Sequence, residues 1–186
     1  MTDKADSNTV KTIMDEFLKD EGVRARLRMI LTRKRNDWEK WLQVELEYFI
    51  TQLPNIFVER EIPAFPDRRV LRDKYKMFID LAFRKKRTRV NSYIFLELKC
   101  SRSPQTLING FNKDVKKINA LRKCLLEQRS FWCVGFHLNC EPHNMKKMNE
   151  FVNDWYYGYS KVVKLCNCGD EIECPCTDNK IGFAVI

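Results

Sequence analysis

Charge interrupts two apolar runs of this chain at spacings that could do chemistry. In YIFLELKC, residues 93–100, the interruptions are Glu97 and Lys99; in KMFIDLAF, residues 76–83, it is Asp80. Strand side chains alternate between faces, so Tyr93, Phe95, Glu97 and Lys99 share one face, and Ile94, Leu96, Leu98 and Cys100 the other. By the same rule Phe78, Asp80 and Ala82 lie opposite Met77, Ile79, Leu81 and Phe83. An isolated charge on a half-buried strand is costly, so these groups must be paired, hydrated or holding an ion. An ion pair of Lys99 with one acid would leave the other acid without a role. Neighbouring strands lie about 5 Å apart, close enough for both acids to converge on one cation.

A third acid comes from the helical run NDWEKWLQVELEYFITQL, residues 36–53. At about 100° per residue, Glu45 falls in the middle of the apolar stripe formed by Trp38, Trp41, Leu42, Leu46 and Phe49. Glu39 falls on the flank of that stripe and Glu47 opposite its centre. A carboxylate at the centre of a core-facing stripe wants a cation or strong donors, which makes Glu45 a candidate accessory acid. Two or three carboxylates beside a lysine are what Mg²⁺-dependent phosphodiester hydrolysis requires. The ion takes carboxylate oxygens and water, polarises the phosphate and acidifies its water. The lysine orients that water and offsets charge in the transition state.

The elements that must position these groups follow from periodicity. Residues 9–34 have helical spacing, with Ser7 or Asn8 as cap and Gly22 as a break between two helices. The helix over 36–53 ends before Pro54. Strands are predicted at IFVEREI (56–62), YKMFIDLAFRKK (75–86) and SYIFLELKC (92–100), the last two joined as a hairpin by the basic loop RKKRTRVN. A helix over 106–127 follows, then a buried strand in SFWCVGFHLN, a helix over 142–159, and two short strands, KVVKLCNC and KIGFAVI, around a cysteine-rich turn. This order predicts a mixed α/β sheet flanked by helices.

A helix with Glu45, a hairpin with Asp80 on one strand and Glu97-x-Lys99 on the next, then a helix and a strand: this ordered set resembles the PD-(D/E)XK, or restriction-endonuclease-like, nuclease superfamily. The resemblance covers about residues 36–140, with Ile79 in place of the proline of the motif. It implies the fold of that superfamily, with residues 1–35 as an N-terminal helical extension, 36–186 as the nuclease-like domain and 161–186 as a C-terminal Cys-rich β-hairpin. It also implies a DNA endonuclease, with RNA a weaker candidate substrate. Mg²⁺ or Mn²⁺ would be held by Asp80, Glu97, the Leu98 backbone carbonyl and Glu45, and Lys99 would assist the attacking water. The superfamily includes inactive members, so the alternative is a catalytically inactive nucleic-acid-binding or inhibitor protein on the same fold. Dimerisation through the N-terminal helices would suit double-strand cleavage.

Composition fits this reading. The 186 residues carry a net charge of +9, which favours a polyanionic partner. Arg84, Lys85, Lys86, Arg87 and Arg89 on the hairpin loop are candidate phosphate contacts. So are Lys113, Lys116, Lys117, Arg122 and Lys123 on the following helix. No apolar run approaches the roughly 20 residues of a membrane span. The polar N-terminus has no secretory h-region, so a reducing cytoplasmic setting is expected. In CNCGDEIECPC, Cys166, Cys168, Cys174 and Cys176 could hold a structural Zn²⁺. Free thiols and an iron–sulfur cluster are the alternatives, the latter disfavoured because iron–sulfur members of the superfamily generally place a cysteine ahead of the motifs and none precedes Cys100 here. His137, in an apolar strand, reads as a core histidine.

Overall fold

The computed structural model describes residues 2–33, 38–87, 89, 92–166 and 179–186. In chain order the helical and strand elements are α1 (Thr2–Lys19), α2 (Glu21–Thr32), α3 (Glu39–Gln52), β1 (Ile56–Pro66), β2 (Met77–Lys85) and β3 (Ser92–Ser101). Then follow α4 (Pro104–Asn119), β4 (Leu121–Cys124), β5 (Glu127–His137), α5 (Pro142–Asn153), β6 (Tyr159–Lys164) and β7 (Lys180–Val185). The strands form one mixed sheet in the order β4-β1-β2-β3-β5-β7-β6. Among the described strands only β3 and β5 run parallel, as expected for strands joined by a helical crossover.

Local chemistry sets the helix starts. Asp20 caps α2 by accepting the Val23 N–H at 2.8 Å. The break between the first two helices therefore lies at Asp20, two residues earlier than glycine placement suggests, and Gly22 sits inside α2. Ser103 caps α4 by accepting the Thr106 N–H, with Pro104 at the first helical position.

The sheet separates two helical layers. On one face α1, α2 and α3 bury Met14, Phe17, Leu27, Leu42 and Leu46 against Leu96, Leu98, Phe136 and Phe183. The first two helices thus share their core with the sheet. On the other face α4 and α5 bury Leu107, Phe111, Met148 and Val152 against Cys133 and Ala184. A third cluster joins Ile62, Met77 and Ile79 with Ala82, Phe95 and Ile118. Strict alternation sets Ile79 and Ala82 on opposite faces, so β2 departs from it near Asp80. Across the ladder at this point is Glu61, since Arg60 pairs with Leu81 and Ile62 with Ile79. Glu61 has a left-handed φ of 53°, a conformation rarely taken by residues with a side chain.

Two helices are shorter than periodicity predicts. The fourth stops at Asn119, and residues 121–124 become β4, pairing Phe65 with Lys123 and Ala64 with Cys124. Leu125, which fits the helical stripe, is 78% exposed. Edge pairing with β1 has outweighed helical propensity over these few residues. The fifth helix ends at Asn153 rather than continuing to residue 159. The last two strands pair antiparallel, from Tyr159↔Val185 to Lys164↔Lys180. Of the cysteines considered for zinc, Cys166 is buried, while Cys168, Cys174 and Cys176 lie outside the described residues.

Candidate functional site

The pairing of β2 with β3 runs from Phe83↔Ile94 to Leu81↔Leu96 and stops there, while β3 continues beside β5 as far as Ser101. The next pair would be Asp80 and Glu97. Where the ladder ends, the Leu98 N–H donates to Asp80 Oδ2 at 2.8 Å instead of to a backbone carbonyl. In a strand the N–H and C=O of one residue point to the same side, so the Leu98 carbonyl faces this opening too. Asp80, Glu97 and Lys99 are thereby brought together.

Three further charges converge on them. Glu39, in the first turn of α3, accepts from Lys99 Nζ at 3.2 Å and from the Cys100 N–H at 3.1 Å. Asp114 of α4 lies 3.7 Å from Lys99 Nζ. Lys117, one turn on, donates to Glu97 Oε2 at 2.6 Å. Gly110 makes room: a Cβ there would lie 2.8 Å from Lys99 Cγ. Four carboxylates against two ammonium groups leave an excess of two formal negative charges.

Burial makes that excess costly. Glu97 is 1% exposed, and its Oε1 has no hydrogen-bond partner among the described residues. Desolvation and the neighbouring Asp80 raise its pKa to about 8, against the opposing pull of Lys117. Burial raises Asp114 to about 6 and also lifts Asp80, with the two lysines opposing. For Lys99, burial acts downward, but Asp114 and Glu39 outweigh it and its pKa lies above the ordinary lysine value.

The donors suit a hard divalent cation: carboxylate oxygens, of which Glu97 Oε1 and Asp114 Oδ2 are buried with no hydrogen-bond partner among the described residues, beside a backbone carbonyl. Among the described residues no three His, Cys, Asp or Glu side chains are grouped to hold an ion by themselves. Both ammonium groups stand among the acids, so an ion there would take two carboxylates and complete its shell with water and substrate.

The structure places Glu45 elsewhere. It is only partly exposed, as its stripe position predicts, but its partner is Arg26 of α2, which forms an ion pair with it. The acid that α3 brings to the cluster is Glu39. Asp114 had a legible signal, since it lies between Leu107, Phe111 and Ile118 on the buried face of α4. Lys117 is bound to Glu97 and does not stand as a free phosphate contact. Of the cations expected on the hairpin loop, Arg84 and Lys85 instead end strand β2; Arg84 stacks on Phe57 at 4.4 Å, and Lys85, Lys86, Arg87 and Arg89 are exposed, as is Lys113 on α4. Arg122 and Lys123 are on β4, not on a helix.

His137 is fully buried, its Nδ1 is 2.8 Å from the Asn139 carbonyl, and burial lowers its pKa to about 4, so it is a neutral core side chain. No helix of the described residues is long and apolar enough to cross a membrane. In comparisons with known proteins, no family model, no curated protein and no solved structure matches the chain.

Proposed function

We propose that this chain is a divalent-metal-dependent nuclease that hydrolyses phosphodiester bonds of DNA on a restriction-endonuclease-like fold. The observation that carries the reading is the buried, unpartnered Glu97 Oε1 beside Asp80, in a cluster with two excess negative charges. One divalent cation would neutralise that excess. The order α3, β1, β2, β3, α4, β5, with the acids at the point where β2 and β3 part, supports the fold assignment.

In this reading Asp80, Glu97 and the Leu98 carbonyl hold Mg²⁺ or Mn²⁺. The ion supplies Lewis acidity at the phosphate and acidifies a water. Lys99 orients the nucleophile and offsets charge developing on the phosphoryl oxygens. Glu39 and Asp114 keep Lys99 protonated and fixed in place. Lys117 balances Glu97 in the absence of the ion.

A second reading has support in the same contacts. Lys117 on Glu97 and Lys99 between Glu39 and Asp114 already satisfy much of the cluster, as a non-catalytic nucleic-acid-binding protein would require. The test is cleavage of plasmid, linear and single-stranded DNA, and of RNA, with Mg²⁺ or Mn²⁺, wild type beside Asp80→Ala and Lys99→Ala. The nuclease reading expects metal-dependent cutting by wild type and a loss of at least a hundredfold in both variants. Cutting unchanged by either substitution, or intact substrates with metal-independent binding, would overturn it.

A further inference from the structure

A second surface, outside the acid cluster, has the composition of a polynucleotide site. The segment between β1 and β2 and the edge strand β4 enclose an open cavity of about 570 Å³, whose lining includes Phe65, Arg68, Tyr75, Arg122 and Lys123. Its aromatic rings are unusually open to water, Tyr75 being 72% and Phe65 46% exposed, and Phe78, outside the lining but three residues beyond Tyr75 in the chain, is also 46% exposed. Large rings are ordinarily buried, and a cluster of exposed ones marks a binding surface.

Cations attend each ring. The Arg68 guanidinium lies 4.4 Å from the centre of the Tyr75 ring, and Lys76 Nζ lies 4.7 Å from that of Phe78. Lys123 is the register partner of Phe65 on the neighbouring strand. Arg68, Lys76 and Lys123 form no ion pair with an acid among the described residues, and Arg122 forms none either, although its charge helps hold the Asp67 carboxyl below its ordinary range. By contrast Arg69 is clamped on Asp67, which also accepts the Arg69 N–H, so the segment that presents Arg68 and Tyr75 is held in shape. The Asp67 N–H is tied at 2.6 Å to the Ala120 carbonyl just before β4, which fixes the segment to the sheet edge.

Cations outside any ion pair, beside exposed rings, select one chemistry. Phosphates take the cations and unstacked bases take the rings, a combination that a duplex with its bases stacked internally cannot satisfy. We propose that the surface formed by Phe65, Arg68, Tyr75, Phe78, Arg122 and Lys123 binds single-stranded polynucleotide. Lys76 stands four residues before Asp80, about 13 Å along an extended strand, so a strand bound here is delivered toward the acid cluster. The inference rests on the nuclease reading only for that delivery; the binding itself does not require catalysis.

The test is fluorescence anisotropy of the full chain with a labelled oligothymidylate, its RNA counterpart and a duplex of equal length, in EDTA so that no cleavage intrudes. Single strands of either sugar are expected to bind at least tenfold more tightly than the duplex. Tyr75→Ala is expected to weaken single-strand binding about tenfold, the scale of one stacked base. The double change Arg122→Ala with Lys123→Ala should weaken it further and flatten its salt dependence. Lys146→Ala, on the solvent face of α5, should leave binding unchanged. Equal affinity for duplex and single strand, affinity unaffected by Tyr75→Ala and the double change, or binding to anionic vesicles without binding to oligonucleotide would each overturn the proposal. Asp80→Asn separates the two readings: it removes cleavage if the nuclease reading holds and leaves anisotropy as in wild type.

Discussion

Lys117 Nζ donates to Glu97 Oε2 at 2.6 Å, while Oε1 of the same buried carboxylate has no partner among the described residues. Half of this carboxylate is satisfied and half is not. Burial and the neighbouring Asp80, against the pull of Lys117, are why the folded protein favours the protonated acid.

That preference has a sign in stability. The Glu97 pKa is raised from 4.5 to about 8 on folding, so between these values the folded chain holds a proton that the unfolded chain has released. Stability from this group is therefore fully present below about pH 4.5 and is lost as pH rises toward 8, by at most about 1.4 kcal/mol per pH unit. Urea unfolding of the metal-free protein between pH 5 and 8.5 should show this decline, and Glu97→Gln should flatten it. Mg²⁺ should stabilise more at pH 8 than at pH 6, because protons compete with it for the carboxylate. A protein whose stability rises across this range would contradict the assignment.

The two acids of α3 should behave differently. Glu39 holds Lys99 and the Cys100 N–H, so on the proposed nuclease reading Glu39→Gln should reduce cleavage about 10- to 100-fold, the usual scale for a residue that orients a metal-site group. Glu45→Gln breaks the ion pair with the partly exposed Arg26 and should cost no more than about 1 kcal/mol. Its cleavage rate should match wild type. Initial rates and thermal melts on both variants would show the contrast or its absence.

Gly110→Ala tests how closely Lys99 is held. The added Cβ would lie 2.8 Å from Lys99 Cγ, so the lysine must shift while the helix gains propensity. On the same reading cleavage should drop up to about 100-fold with little change in melting temperature, since small misplacements of the group proposed to orient the nucleophile are expensive. At Gly135, the register partner of Lys99, a Cβ would meet Leu107 Cδ1 at 2.5 Å and Phe111 Cζ at 2.6 Å. Gly135→Ala should destabilise the fold itself by about 1–3 kcal/mol, read by denaturant midpoint.

Asp6 anchors α1 to the sheet. Its fully buried carboxylate pairs with Arg129 and accepts the Ser130 hydroxyl at 2.8 Å, and the Trp132 Nε1–H donates to that same hydroxyl at 3.1 Å. Asp6→Ala leaves Arg129 and Ser130 unsatisfied and should cost about 2–4 kcal/mol, short of the largest buried-pair losses because Arg129 is partly open to water. A loss below about 0.5 kcal/mol by chemical denaturation would show that the first helix docks by its apolar face alone.

Much of the fold was legible in the residue pattern because it is local. Period-two alternation placed β2 and β3 as neighbouring strands carrying Asp80 on one and Glu97 with Lys99 on the other. The approach of one element to another was not local. Periodicity correctly put Glu45 on a half-buried face, but α2 packs there and brings Arg26, whereas Glu39 lies at the helix end that overhangs the strands. Residues 121–124 suit a helix until β1 offers an unpaired edge, and only in the sheet does a strand become the better bargain for their backbone groups. The charges within single elements were thus determined by sequence alone. The tertiary structure decided which of them share one buried space, because burial, which makes each charge costly and so chooses its partner, exists only once the layers have closed.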